Sequence, residues 1–221
     1  GSLASLTALE VAFSECVELV VRQLGLPPPF PSCPPAVVLV ECAAGTSPLD
    51  ELVAAMAQCQ DLVRDGAVAD DEAAVRRLWR YREAVSEAIN AAGVPHKLDV
   101  AVPLARIPGF VTAVRTRVAA LAPAAQVAIF GHLGDGNLHV NVLGLDPDDE
   151  TVDREILRLA ADAGGTIAAE HGVGVAKVSA LELVRGPGDL AAMRATKRAL
   201  DPRGILNPGV LLPEERQARR S

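Results

Sequence analysis

The sequence predicts an α+β domain, an antiparallel sheet with helices packed on one face. Residues 127–143 (VAIFGHLGDGNLHVNVL) read as two strands around a Gly-Asp-Gly-Asn turn. Apolar stripes of helical period occur between the strand patterns, and strict strand–helix–strand alternation is rare. Half of the 221 side chains are hydrophobic, but only four Phe, one Tyr and one Trp are present. The core is therefore built from Ala, Val and Leu rather than from rings, and the length suits one large domain or two small ones.

The elements follow in order. Thr7 and Glu10 have capping-box spacing, so a first helix is expected from Thr7, with its stripe at Leu9, Phe13, Cys16, Val17, Val20 and Leu24. Residues 25–35 are proline-rich and must be a loop, and residues 36–40, apolar and β-branched, form a buried strand. Ser47 caps a helix with Pro48 in its first turn and a stripe at Leu52, Met56, Cys59 and Val63, ended by Gly66. A third helix covers residues 71–92 and stops at Gly93. Leu98, Val100 and Val102 alternate with Lys97, Asp99 and Ala101 as in a half-buried strand. Residues 108–121 are helical, as are 149–163, with Gly164-Gly165 closing the latter. Residues 166–169 make a short strand, residues 189–200 a last helix, and residues 214–221 a polar tail.

Composition removes several partners. The net charge is −7 and rings are few, the opposite of a nucleic-acid footprint. No apolar run approaches the roughly 20 residues that span a bilayer, and no signal pattern opens the chain, so a cytoplasmic domain is expected. Cys16, Cys33, Cys42 and Cys59 form no C-x-x-C pair and are expected to be ordinary buried thiols.

With Asp135-Gly136 at the hairpin tip, His132 faces His139 directly, close enough for both imidazoles to reach one ion. Asn141 points the same way. A one-residue slip would destroy this arrangement, and a surface hairpin with two incidental histidines is the plain alternative. Glu170, beside His171 at the end of an apolar segment and among small residues, is the candidate third ligand. The GHLGDGNLH segment lacks both G-x-G-x-x-G and a G-K-[ST] ending, so it is no phosphate loop. Arg82 falls on the apolar stripe Val75, Leu78, Val85 and Ile89, with Ser86 on its face. An inward arginine needs an anion, either a protein carboxylate or a substrate carboxylate. Lys97 matters only if the polar side of its strand faces the site.

GHLGDGNLHVNV, AAEHGVG followed by Lys177, and the run LDPRGILNP at residues 200–208 resemble, in matching order, the C-terminal domain of FAD-linked D-2-hydroxyacid dehydrogenases. That family includes D-lactate dehydrogenases, the glycolate oxidase flavin subunit and D-2-hydroxyglutarate dehydrogenase. The resemblance runs from about Leu3 to Pro213. It implies a ferredoxin-like cap domain over a flavin, with FAD held mainly by an N-terminal domain that residues 1–221 lack. It further implies His132, His139 and Glu170 as ligands of a divalent metal, zinc favoured, and His171 as the base near the substrate hydroxyl. Arg82, Ser86, Lys97 and Asn141 stand at substrate-contacting positions, and Asn207 near the flavin ring. The partners implied are a small D-2-hydroxy acid, the N-terminal FAD domain and an electron acceptor, with a homodimer allowed and no nucleic acid. The expected reaction is oxidation to the 2-oxo acid by hydride transfer to FAD, which this fragment alone would not turn over. A metal-dependent hydrolase and a non-catalytic interaction module are the alternatives.

Overall fold

The computed structural model describes residues 3–43 and 48–212. Five strands form one antiparallel sheet: β1 (Leu6–Phe13), β2 (Ala36–Cys42), β3 (His96–Ala101), β4 (Gln126–His132) and β5 (Asn137–Leu143), in the spatial order β2-β1-β4-β5-β3. The helices are α1 (Ser14–Leu24), α2 (Pro48–Gln58), α3 (Glu72–Ala92), α4 (Ile107–Leu121), α5 (Thr151–Asp162), the short α6 (Gly174–Lys177) and α7 (Pro187–Leu200). The α+β class and the antiparallel sheet are as expected.

Helices, however, cover both faces of the sheet. Val11, Val100, Ile129, Leu138 and Val140 point to one side, where Phe110, Val114 and Val118 of α4 and Ile156 and Ala160 of α5 close the core. Ala12, Ala128, Phe130 and Leu143 point to the other, under Cys16 and Val20 of α1 and Val85, Ala88 and Ile89 of α3. The reason is visible in the strands: both alternating sets carry apolar side chains in the middle of the sheet, so each face must be buried.

Three further expectations fail. The helix predicted from Thr7 begins only at Ser14, because residues 6–13 pair as β1 with β2 and β4. Thr7 and Glu10 thus lie in a strand, and the helix-like spacing of their neighbours was coincidental. Residues 166–169 form no strand among the described residues, only the bridge Ala101↔Thr166. Of the cysteines, Cys16 is buried and its thiol donates to the Ile129 carbonyl at 3.1 Å, whereas Cys33 and Cys59 are exposed. Ser47 and the polar tail lie outside the described residues. Asp71 does cap α3, its side chain accepting from the Ala74 N–H at 2.8 Å.

The hairpin register differs from the expectation by two residues. His132 pairs with Asn137, and His139 with Phe130 on one side and Asp99 on the other. Asp135-Gly136 is not the two-residue tip. Asp135 Oδ1 accepts from the Asn137 N–H at 2.9 Å, and Gly136 takes the left-handed φ of 76° that ends a four-residue loop. Because side chains alternate with a period of two, a two-residue shift leaves both histidines on one face.

Candidate active site

That face divides in two. Its apolar half lies under α1 and α3, and its polar half carries Glu10 (β1), His132 (β4), His139 and Asn141 (β5), and Lys97 and Asp99 (β3), brought alongside one another by the register. The segment after α5 crosses the end of this half and delivers Glu170 and His171.

His132 Nε2 and His139 Nε2 stand 3.4 Å apart, with the rings edge to face. Glu170 Oε1 is 3.9 Å from His139 Nε2 and 3.3 Å from His171 Nε2. One ligand atom from each of His132, His139 and Glu170 lies within 4.8 Å of the others. The donor set fits a divalent ion. Two nitrogens 3.4 Å apart, each at roughly 2.05 Å from a cation, subtend about 112°, close to tetrahedral. The Glu170 oxygen subtends the same angle with His139 once it closes in on His139 Nε2 by roughly 0.5 Å, and its half-exposed side chain has room to move. Three protein ligands leave a position open, the pattern of catalytic rather than structural sites.

Each imidazole is held from behind. Glu10, buried at 7% exposure, places Oε1 2.7 Å from His132 Nδ1 and Oε2 2.8 Å from Arg82 Nε. Asp99, buried at 5%, places Oδ1 3.0 Å from His139 Nδ1, off the N–H axis, while Oδ2 accepts from the Glu170 N–H at 3.1 Å. Burial draws the His139 pKa below its ordinary value, against the pull of the Asp99 carboxylate, which favours the neutral ring that metal ligation requires.

Beside the trio opens a cavity of about 480 Å³, lined by Arg82, Ser86, Lys97, Asn141, His171 and Lys177, with Ile89 and Phe130 as apolar wall. Arg82 stacks on Phe130, its guanidinium carbon 4.7 Å from the ring centre. Its Nε is committed to Glu10, which leaves its two terminal nitrogens without a partner among the described residues. The inward arginine therefore has a protein carboxylate and still faces the cavity. Lys177 Nζ donates to the Asp99 carbonyl at 2.8 Å, and its partial burial draws its pKa down. Asn141 donates weakly, at 3.4 Å, to the Ala128 and His139 carbonyls. Three basic side chains, Arg82, Lys97 and Lys177, against one acid, Asp99, give the cavity lining a surplus of positive charge.

Of the site residues singled out in the sequence, eight cluster here and one does not: Asn207 sits in the exposed turn after α7, at a φ of 44°, away from the cavity. Two that matter were missed. Glu10 was read as part of a helix cap, and Asp99 as the polar side of a strand. An acid alternating with Lys97 was the available signal for Asp99; nothing local marks Glu10.

Residues 3–211 match the family described as FAD linked oxidases, C-terminal domain. This chain belongs to that family. It is 34% identical over 215 residues to a D-2-hydroxyglutarate dehydrogenase of Stutzerimonas stutzeri, covering 92% of this chain and 46% of the relative. It is 37% identical to the mitochondrial D-2-hydroxyglutarate dehydrogenase of Bos taurus, covering 94% of this chain and 39% of the relative, and 36% identical to a D-2-hydroxyglutarate dehydrogenase of Xanthomonas citri pv. viticola, covering 93% and 46%. The chain spans less than half the length of these relatives.

Proposed function

We propose that this chain is the substrate- and metal-binding domain of a flavin-dependent oxidoreductase that oxidises D-2-hydroxyglutarate to the 2-oxo acid. The observation that carries the reading is the meeting of His132, His139 and Glu170 beside a cation-lined cavity. The names of the relatives and the surplus of cations favour a substrate with two carboxylates; a monocarboxylate such as D-lactate would leave one cationic side chain unanswered. A divalent ion held by the trio would supply Lewis acidity at the substrate hydroxyl, and FAD bound by the rest of the protein would supply the hydride acceptor.

The chain's own residues do the remainder. Arg82 offers its terminal nitrogens to a carboxylate as a planar fork, oriented in advance by Glu10 and Phe130. Lys97 and Lys177 add point charges, and Ser86 and Asn141 add polar contacts along the wall. His171, exposed and beside Glu170, takes the hydroxyl proton at Nε2. Phe130 and Ile89 exclude water from the apolar side of the cavity.

Zinc soaking followed by desalting should leave about one equivalent of metal on the chain; retention below about a tenth, by elemental analysis, would sink the metal part. Calorimetry on the zinc-loaded chain should show D-2-hydroxyglutarate binding at least about tenfold tighter than D-lactate. Lys97→Met should erase that difference, since a charge-assisted hydrogen bond is worth about 1.5–3 kcal/mol. Equal affinities for the two acids would refute the dicarboxylate assignment.

A further inference from the structure

We infer that Glu10 and Asp99 are a matched pair of positioning residues, each of which fixes the tautomer of one ligating imidazole so that its Nε2 lone pair faces the metal position. The inference deepens the metal reading above and rests on it. Its basis is a count of donors.

Each carboxylate is buried, and each has one oxygen already committed to a group that can only donate. For Glu10 that group is Arg82 Nε–H, 2.8 Å from Oε2; for Asp99 it is the Glu170 backbone N–H, 3.1 Å from Oδ2. Neither donor can reverse its role. The second oxygen of Glu10 is hydrogen-bonded to His132 Nδ1 at 2.7 Å; that of Asp99 lies 3.0 Å from His139 Nδ1 but off the N–H axis, and has no hydrogen-bond partner among the described residues. The Glu10 oxygen accepts from His132 Nδ1–H, and the Asp99 oxygen, 3.0 Å from His139 Nδ1, repels a lone pair there and favours a proton, so each Nδ1 carries the proton and each Nε2 is left bare. The two bare nitrogens face each other at 3.4 Å, an arrangement that two lone pairs avoid unless a cation is to lie between them. The two carboxylates sit on different strands, β1 and β3, on either side of the hairpin that carries the histidines. Asp99 has a second function in the same geometry: its Oδ2 holds the backbone of Glu170, so one residue sets the ring of one ligand and the main chain of another.

The device makes a sharp statement about isosteric amides. In Glu10→Gln the only accepting oxygen is claimed by Arg82 Nε–H, and the amide NH2 turns toward His132 Nδ1. That nitrogen must then accept, and the ring proton moves to Nε2, where it blocks the metal. Asp99→Asn does the same to His139, with the Glu170 N–H as the fixed donor. Size and packing are retained in both, so a merely structural role predicts no change of tautomer.

The test is nitrogen-15 NMR of the histidine rings in the metal-free chain at pH 8, together with zinc affinity by competition against a chromophoric chelator. In the wild type both His132 and His139 should carry the proton on Nδ1. Glu10→Gln should move it to Nε2 in His132 alone, Asp99→Asn in His139 alone, each weakening zinc by about 10- to 100-fold. A wild-type ring protonated on Nε2 overturns the inference, as does a folded amide variant that keeps both its tautomers and its zinc affinity within about twofold. If a variant fails to fold, the wild-type spectrum decides. A wild-type chain with both protons on Nδ1 that binds no zinc leaves the tautomer assignment standing and removes the metal reading instead.

Discussion

Gly136 ends the hairpin loop with a φ of 76°, and a Cβ built there would lie 2.2 Å from the Val102 carbonyl oxygen. Gly136→Ala therefore carries two penalties. The left-handed conformation costs about 1–2 kcal/mol for a residue with a Cβ. The overlap demands a shift of roughly 1 Å between two backbones, comparable to an overpacked core at about 1–3 kcal/mol. That shift also breaks the bond from the Val102 N–H to the Gly136 carbonyl, 3.1 Å long and worth about 1 kcal/mol. The stiffer unfolded chain returns about 0.4–1 kcal/mol. The net is about 3–5 kcal/mol, which for a domain of this size lowers the melting temperature by roughly 10 °C. Gly134, two residues earlier in the same loop, has no heavy atom within 4 Å of its would-be Cβ and no positive φ, so Gly134→Ala should change stability by less than about 0.5 kcal/mol. Circular-dichroism melts of both variants decide the matter. Equal melting temperatures for the two, or a Gly136→Ala protein within about 2 °C of wild type, would refute the close-approach argument.

Ile156 of α5 is fully buried against the sheet, so Ile156→Ala should cost about 2–5 kcal/mol in urea unfolding, with the slope unchanged; a loss under about 1 kcal/mol would mean that this face of the sheet is not the core. Asp201 stands after α7 with Lys197 beside its carboxylate and the Ile205 and Leu206 N–H groups donating to it, and these together hold its pKa below the usual range, Lys197 contributing most. A depressed acid stabilises the fold above its unfolded pKa of about 3.9 and loses that contribution as pH falls through the folded value. The gap in unfolding midpoint between wild type and Asp201→Asn should accordingly be full at neutral pH and shrink below about pH 4; a gap independent of pH would show that the charge is not what matters.

The parts of the fold visible in the sequence are those where local pattern and tertiary demand agree. The start of α3 near Asp71, its stop at Gly93 and the alternation of Leu98 and Val100 are each written in a few adjacent residues. Residues 6–13 failed for the opposite reason. Leu9, Phe13, Cys16, Val17 and Val20 happen to be spaced as a helix stripe, although two of them belong to β1 and three to α1. Only the partners, β2 on one side and β4 on the other, force the extended conformation, and these lie up to about 120 residues away in sequence. The second covered face was hidden in the same way, since a strand apolar on both sides cannot be told from a buried helix turn by period alone.

The site shows what alternation protects and what it cannot supply. A two-residue error of register still left His132 and His139 on one face, because the pleat repeats every second residue. Their proximity therefore follows from almost any hairpin in which the loop has even length. Glu10 has no such protection. Its contact with His132 depends on β1 inserting between β2 and β4 rather than remaining at an edge, and its contact with Arg82 depends on α3 crossing that same face. Both partners would be left as unmatched donors without it, and the carboxylate itself could not be buried without them. The acid, the arginine and the imidazole are thus mutually required, a relation that exists only in three dimensions. It also means that the strand which completes the sheet is the one that completes the site, so destabilising β1 should disorder His132 before it unfolds the α4–α5 side of the core.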